Sequence, residues 1–136
     1  MFETFDHTAD IGLRISATTL EELFVDAARG LTSLLVENID DVRPTLSETI
    51  SLGGTEVDYL LFDWLNELLF RFETRKLLCH EFDVRLTRQG LEATVRGETC
   101  DESRHRLAHE VKAITYHGLN VQQTDGGWQV ELILDI

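Results

Sequence analysis

The sequence predicts an α+β domain of two helices and about seven strands. Three observations carry this expectation. Two long segments repeat apolar residues at three- and four-residue intervals, while the other apolar positions alternate. The order is strand, helix, strand, helix and then a run of strands, unlike the βαβ repeat of a parallel sheet. The chain has 136 residues and 43% hydrophobic content, the size of one globular domain over 1–136. A chain of this length buries roughly 68–70% of its unfolded surface and needs no staple. One proline and no Ser/Gly-rich stretch mark no domain boundary.

The first strand is expected over 10–17, on the beat Ile11, Leu13, Ile15. Just ahead of it stands a polar cluster, Asp6, His7, Thr8 and Asp10, which strand propensity does not favour. Asp6 and His7 are expected to cap the turn that His7 and Thr8 shape. The next segment carries a helical stripe of Leu20, Leu23, Phe24, Ala27, Ala28, Leu31, Leu34 and Leu35. Thr19 with Glu22 three residues later is a capping-box signal. Gly30 sits mid-helix, at a cost of about 1 kcal/mol against alanine.

An extended segment follows Pro44 and ends at Gly53–Gly54. The second helix is the stronger, with Val57, Leu60, Leu61, Trp64, Leu65, Leu68, Leu69 and Phe72 on one stripe. Thr55 and Asp58 offer its capping signal. Asp58, Glu67, Arg71 and Arg75 lie off the stripe and are expected in solvent. Tyr59, Phe62 and Phe70 fall outside its centre. The helix is therefore covered on two sides or meets a partner, and core packing is the expectation. Two strands joined near Gln89–Gly90 come next, then the polar loop "DESRHRLAHE". Two further strand segments flank the hairpin signal Asp125–Gly126–Gly127.

Composition narrows the function. Twelve basic against 25 acidic residues leave a net charge of −13. Nucleic-acid binding draws on clustered Lys and Arg, so direct binding of RNA or DNA is not expected, nor is docking on an anionic membrane. A basic protein partner or a divalent cation suits this charge; solubility alone also accounts for it. Cys79 and Cys100 form no Cys-x-x-Cys pair. The N-terminus "MFETFDH" lacks a signal-peptide pattern and no apolar run is long enough to span a membrane, so a cytoplasmic protein with reduced, inert thiols is expected. No Walker loop, Gly-x-Ser-x-Gly, Gly-x-Gly-x-x-Gly or His-Glu-x-x-His occurs. His105 and His109 are four apart, but in an expected loop, where solvated histidines are commoner than a zinc pair.

Asp10 opens the first strand and Asp135 nearly closes the last, with the terminal carboxylate of Ile136 beside it. Strands lying side by side would bring these carboxylates together. Converging carboxylates repel and invite a hard cation with oxygen ligands; single acids at strand ends are also common solvated surface. Lys112 sits in an otherwise apolar stretch, either snorkelling or salt-bridged, or placed as a cation beside the acids.

The same residues carry a family resemblance. "DHTADIGLRI" resembles the N-terminal signature of archease. "TLEELFVDAARGL" and "LLFDWLNELLFRFET" resemble its two helices, and "HEVKAITYHGLNV" and "LILDI" its Glu-Val-Lys block and C-terminal ending. The match runs in order over nearly the whole chain. The resemblance implies two packed sheets with two helices. It implies an accessory protein, not an enzyme, for the tRNA-splicing RNA ligase, which joins 2′,3′-cyclic phosphate or 3′-phosphate RNA ends to 5′-hydroxyl ends. It implies promotion of ligase guanylylation, multiple turnover and broader nucleotide use. It places a site for calcium, magnesium or manganese at Asp10, Asp135 and Ile136. Asp10, Arg104, His105, Lys112 and Asp135 become the ligase-activating residues; at Arg104 the family often has Lys. Two competing readings stand beside it: a small metal-dependent enzyme using Asp10, Asp135 and a histidine base, and a chaperone-like module using the apolar helix. Oligomeric state is not set by the sequence.

Overall fold

The computed structural model describes residues 1–7 and 10–136, apart from the His7 side chain. Its strands are β1 (Phe2–His7), β2 (Asp10–Ala17), β3 (Leu46–Gly53), β4 (Leu77–Leu86), β5 (Gly90–Thr99), β6 (Ala113–Thr115), β7 (Gln122–Thr124) and β8 (Gly127–Asp135). The helices are α1 (Leu20–Leu35) and α2 (Val57–Arg75). One sheet runs β1-β2-β8-β6, with β7 also on β8; the other runs β3-β5-β4. All pairings are antiparallel. The two helices join the sheets: α1 packs on β1, β2 and β8 of one and on β4 of the other, while α2 packs on β3, β4, β5 and on β6. The expected α+β class, with two sheets and two helices, is what the chain forms.

The helix stripes become the core. Leu23, Phe24, Ala27, Ala28, Leu31, Leu34 and Leu35 of α1 are buried, as are Leu60, Leu61, Trp64, Leu65, Leu68 and Leu69 of α2. Thr19 caps α1, its hydroxyl accepting the Glu22 N–H at 3.1 Å. Glu22 does not complete the box there; its carboxylate accepts the Thr18 hydroxyl at 2.8 Å. Gly30 has a packing reason: a Cβ there would lie 3.2 Å from Leu13 Cδ1 and 3.3 Å from Phe2 Cγ. Its helix-propensity cost is offset by close approach of α1 to β1 and β2.

Several expectations change. β1 precedes the first expected strand, because Phe2–His7 pairs back on β2 with His7 opposite Asp10. Asp6 and Asp10 of the polar cluster therefore stand within two paired strands. Asp6 is exposed in β1; the turn role given to the His7 side chain and Thr8 lies outside the described residues. At α2, Glu56 is the cap residue and supplies no side-chain bond. Asp58 is used elsewhere, its carboxylate accepting the Val121 N–H at 2.8 Å. Arg75 is exposed as expected and Arg71 half-buried, and both bind Glu48 on β3. Tyr59 and Phe70 are 55% and 58% exposed, so core packing does not cover that side of α2. The segment 111–123 is two short strands, split by an excursion in which the Leu119 N–H donates to Tyr116 O and Gly118 takes φ +78°.

Candidate functional site

The edge-to-edge order of the first sheet answers the question raised by the two acids. β2 and β8 are the first and last long strands, and they pair along their full length. Their register puts Asp10 directly opposite Asp135, then Gly12 opposite Ile133 and Arg14 opposite Glu131. Directly opposed residues project to the same face with Cβ atoms about 4.5–5.5 Å apart. Asp10, Gly12 and Arg14 thus share the outer face with Asp135, Ile133 and Glu131. Ile11, Leu13, Ile15, Val130, Leu132 and Leu134 alternate with them toward the core. Asp10 is half-buried and Asp135 exposed, with Ile136 half-buried at the chain end. Like charges directly opposed destabilise a sheet, so this pair costs stability unless a cation or a partner offsets it.

Lys112 reaches the same end of the sheet. Its backbone N–H donates to Asp135 O at 2.8 Å, and the next residue, Ala113, stands opposite Asp135 in the β6 register. The lysine is exposed, not buried in the apolar stretch. Both readings of its side chain, snorkelling or salt-bridged and a cation beside the acids, stay open; its backbone lies at the Asp135 end of β8.

Arg104 and His105 belong to a different arrangement, built on Glu98. Glu98 closes β5 and is 7% exposed. Its carboxylate accepts the Arg43 N–H at 2.6 Å, pairs with the Arg104 guanidinium and faces His105 Nε2 at 3.1 Å. His105 Nδ1 accepts the Asp101 N–H at 2.9 Å. Since a backbone N–H only donates, Nδ1 carries no proton and Nε2–H donates to Glu98. Burial pushes the Glu98 carboxyl up, but Arg43, Arg104 and His105 outweigh it and hold it below the usual carboxylate range. His105 is 2% exposed and His109 exposed, so the two do not form one metal face. Among the described residues no group of three His, Cys, Asp or Glu side chains could hold a metal ion. Asp10 and Asp135 are two carboxylates, the donor type that hard cations such as calcium or magnesium prefer.

The loop carrying Arg104 is tied down at several points. Glu37 N–H donates to Arg106 O, Ala108 N–H to Leu35 O and His109 N–H to Leu34 O, all near 2.8–2.9 Å. Asn38 adds a side-chain bond to Arg104 O. The loop thus runs from Glu98 past the C-terminus of α1 to Lys112. Sequence reasoning missed Glu98, since an acid at a strand end carries no signal of burial. It also missed Tyr116, which stacks on Tyr59 with ring centroids 4.9 Å apart.

The model of the Archease protein family matches residues 2–136. The chain belongs to the archease family. Protein archease of Methanopyrus kandleri is 37% identical, over 99% of each chain. Protein archease of Pyrococcus abyssi is 35% identical, over 99% of this chain and 98% of its own. Among solved structures, the solution structure of Methanobacterium thermoautotrophicum protein 1598 superposes with a TM-score of 0.83 at 32% identity. It covers 99% of this chain and 98% of that one. The archease fold thus accounts for the whole β1-to-β8 arrangement that sets Asp10 against Asp135. No helix among the described residues is long and apolar enough to cross a membrane.

Proposed function

We propose that this archease is the accessory protein of a tRNA-splicing RNA ligase, promoting its guanylylation and multiple turnover in tRNA splicing or RNA repair. The observation that supports this reading is the register of β2 on β8, which opposes Asp10 to Asp135 at an exposed sheet end. The two carboxylates, with the Ile136 terminus, would hold a calcium, magnesium or manganese ion. A divalent ion held there would supply positive charge for phosphate oxygens. The chain's own residues fix the geometry: the β2–β8 ladder sets the spacing of the acids, and Lys112 places a cation beside them. Arg104 offers its charge from a loop that buried His105 positions through Glu98. The protein performs no joining itself; the ligase does. The two free thiols suit a reducing compartment, and the reading places the protein in the cytoplasm.

The test is RNA-end joining by the ligase at substrate excess, with and without this protein and its Asp10→Ala and Asp135→Ala variants. Cycling beyond one turnover only with intact protein is the expected result. A ligase that turns over equally well alone overturns the reading. Equal activation by both variants overturns the role of the acids.

A further inference from the structure

The outer face of α2 has no place in that scheme. Tyr59, Asp63, Asn66, Phe70 and Glu73 follow one another at four- and three-residue steps, and the cap residue Glu56 precedes Tyr59 by three. Such spacing places them on one face of a helix. Tyr59, Asp63, Phe70 and Glu73 are all exposed, and Asn66 and Phe62 beside them half-buried. Tyr116 extends the patch from the excursion before β7. It lies parallel to Tyr59 within 8° and meets Phe62 edge-on at 5.3 Å. The Tyr59 hydrogen bond, together with partial burial, pushes the Tyr116 phenol up to about 12, keeping it neutral. Among the described residues no ion pair engages Glu56, Asp63 or Glu73. The stripe carries no Lys or Arg; Arg71 points aside to Glu48 and Glu67.

Rigid aromatics interleaved with unspent carboxylates select their occupant. Arg side chains stack on Tyr and Phe faces and pair with carboxylates in a planar fork, which Lys does less well. A second copy of this chain brings no Lys or Arg on this stripe to pair with its three carboxylates. Nucleic acid and anionic lipid meet three carboxylates and no cation. We infer that the Glu56–Glu73 stripe of α2, with Tyr116, is the face on which the partner protein docks, through a segment bearing arginines. The partner's identity as the RNA ligase rests on the function proposed above. Docking on α2 and the action of Asp10 and Asp135 are then separate duties on separate elements.

Calorimetric titration of the ligase with the wild type, with Phe70→Ala and with the double variant Asp63→Lys/Glu73→Lys tests this. Each replaced side chain is exposed, so thermal unfolding should match the wild type. Each variant is expected to bind at least about tenfold more weakly, the scale of one lost anchor. Wild-type affinity should fall as salt rises, whereas Asp10→Ala/Asp135→Ala keeps affinity and loses activation. Stripe variants that bind as tightly as an activating wild type overturn the docking face and leave the ligase reading standing. A wild type that neither binds nor activates the ligase overturns both. Stripe variants that instead lose self-association, or binding to single-stranded RNA, also overturn the inference.

Discussion

A carboxylate enclosed at the end of β5 is held ionised by three donors, and two residues of the following loop depend on it. Glu98 anchors Arg104 and buried His105 at once. Breaking a buried pair leaves the other charge or donor without a partner, which costs more than the pair contributes. Glu98→Gln is therefore expected to destabilise by about 3 kcal/mol, read from urea unfolding at pH 7. The same variant should loosen the loop to Lys112, seen as faster amide exchange at His105. At Cys79 burial prevails instead: desolvation pushes its thiol up to about 12, so it stays protonated and inert at neutral pH.

At the scale of elements, α2 is tied to β3 by one acid. Arg75 reaches both Glu48 oxygens at 2.7 Å, and Arg71 joins them. The Arg75 bonds, aided by Arg71 against the opposing effect of burial, hold the Glu48 carboxyl at about 2, against an ordinary 4.5. A carboxyl depressed on folding stabilises fully above its unfolded pKa and loses that stability as pH falls through its folded value. The contribution of Glu48 is thus present above about pH 4.5 and gone near pH 2. Glu48→Gln should lower stability by about 2 kcal/mol at pH 7, as expected for hydrogen bonds to charged groups. It should also flatten the decline between pH 4.5 and 2, as measured by denaturant midpoints across that range.

For the whole molecule, the helices are the mortar between two sheets, and Trp64 ties α2 to α1 and to β4. Its ring is fully buried. Its Nε1–H donates to Phe24 O of α1 at 3.0 Å, and its ring meets Phe82 of β4 edge-on at 6.0 Å. Trp64→Ala is expected to cost about 4 kcal/mol. Because both sheets lean on the helices, far- and near-ultraviolet circular dichroism should still report one shared transition at a lower midpoint. Separate transitions for the two signals would overturn the single cooperative unit.

The sequence by itself determined the helices, most strands and the two acids, because each rests on a local signal. The stripes of α1 and α2, the Thr19 cap and the Asp125–Gly126 turn are matters of spacing and backbone preference. What the sequence left open needed contacts far apart in the chain. Whether Asp10 meets Asp135 depends on β2 pairing with β8 across more than a hundred residues, and only the register shows it. β1 was hidden because its strand character is polar and its partner is the strand that follows. That Arg71 and Arg75 pair with Glu48 was not legible, because Glu48 comes to them from β3. Tyr59 and Phe70 read as core because apolar residues near a buried stripe look alike in one dimension. Burial is decided by what covers a face, and only the tertiary structure showed that Tyr59 and Phe70 stay exposed.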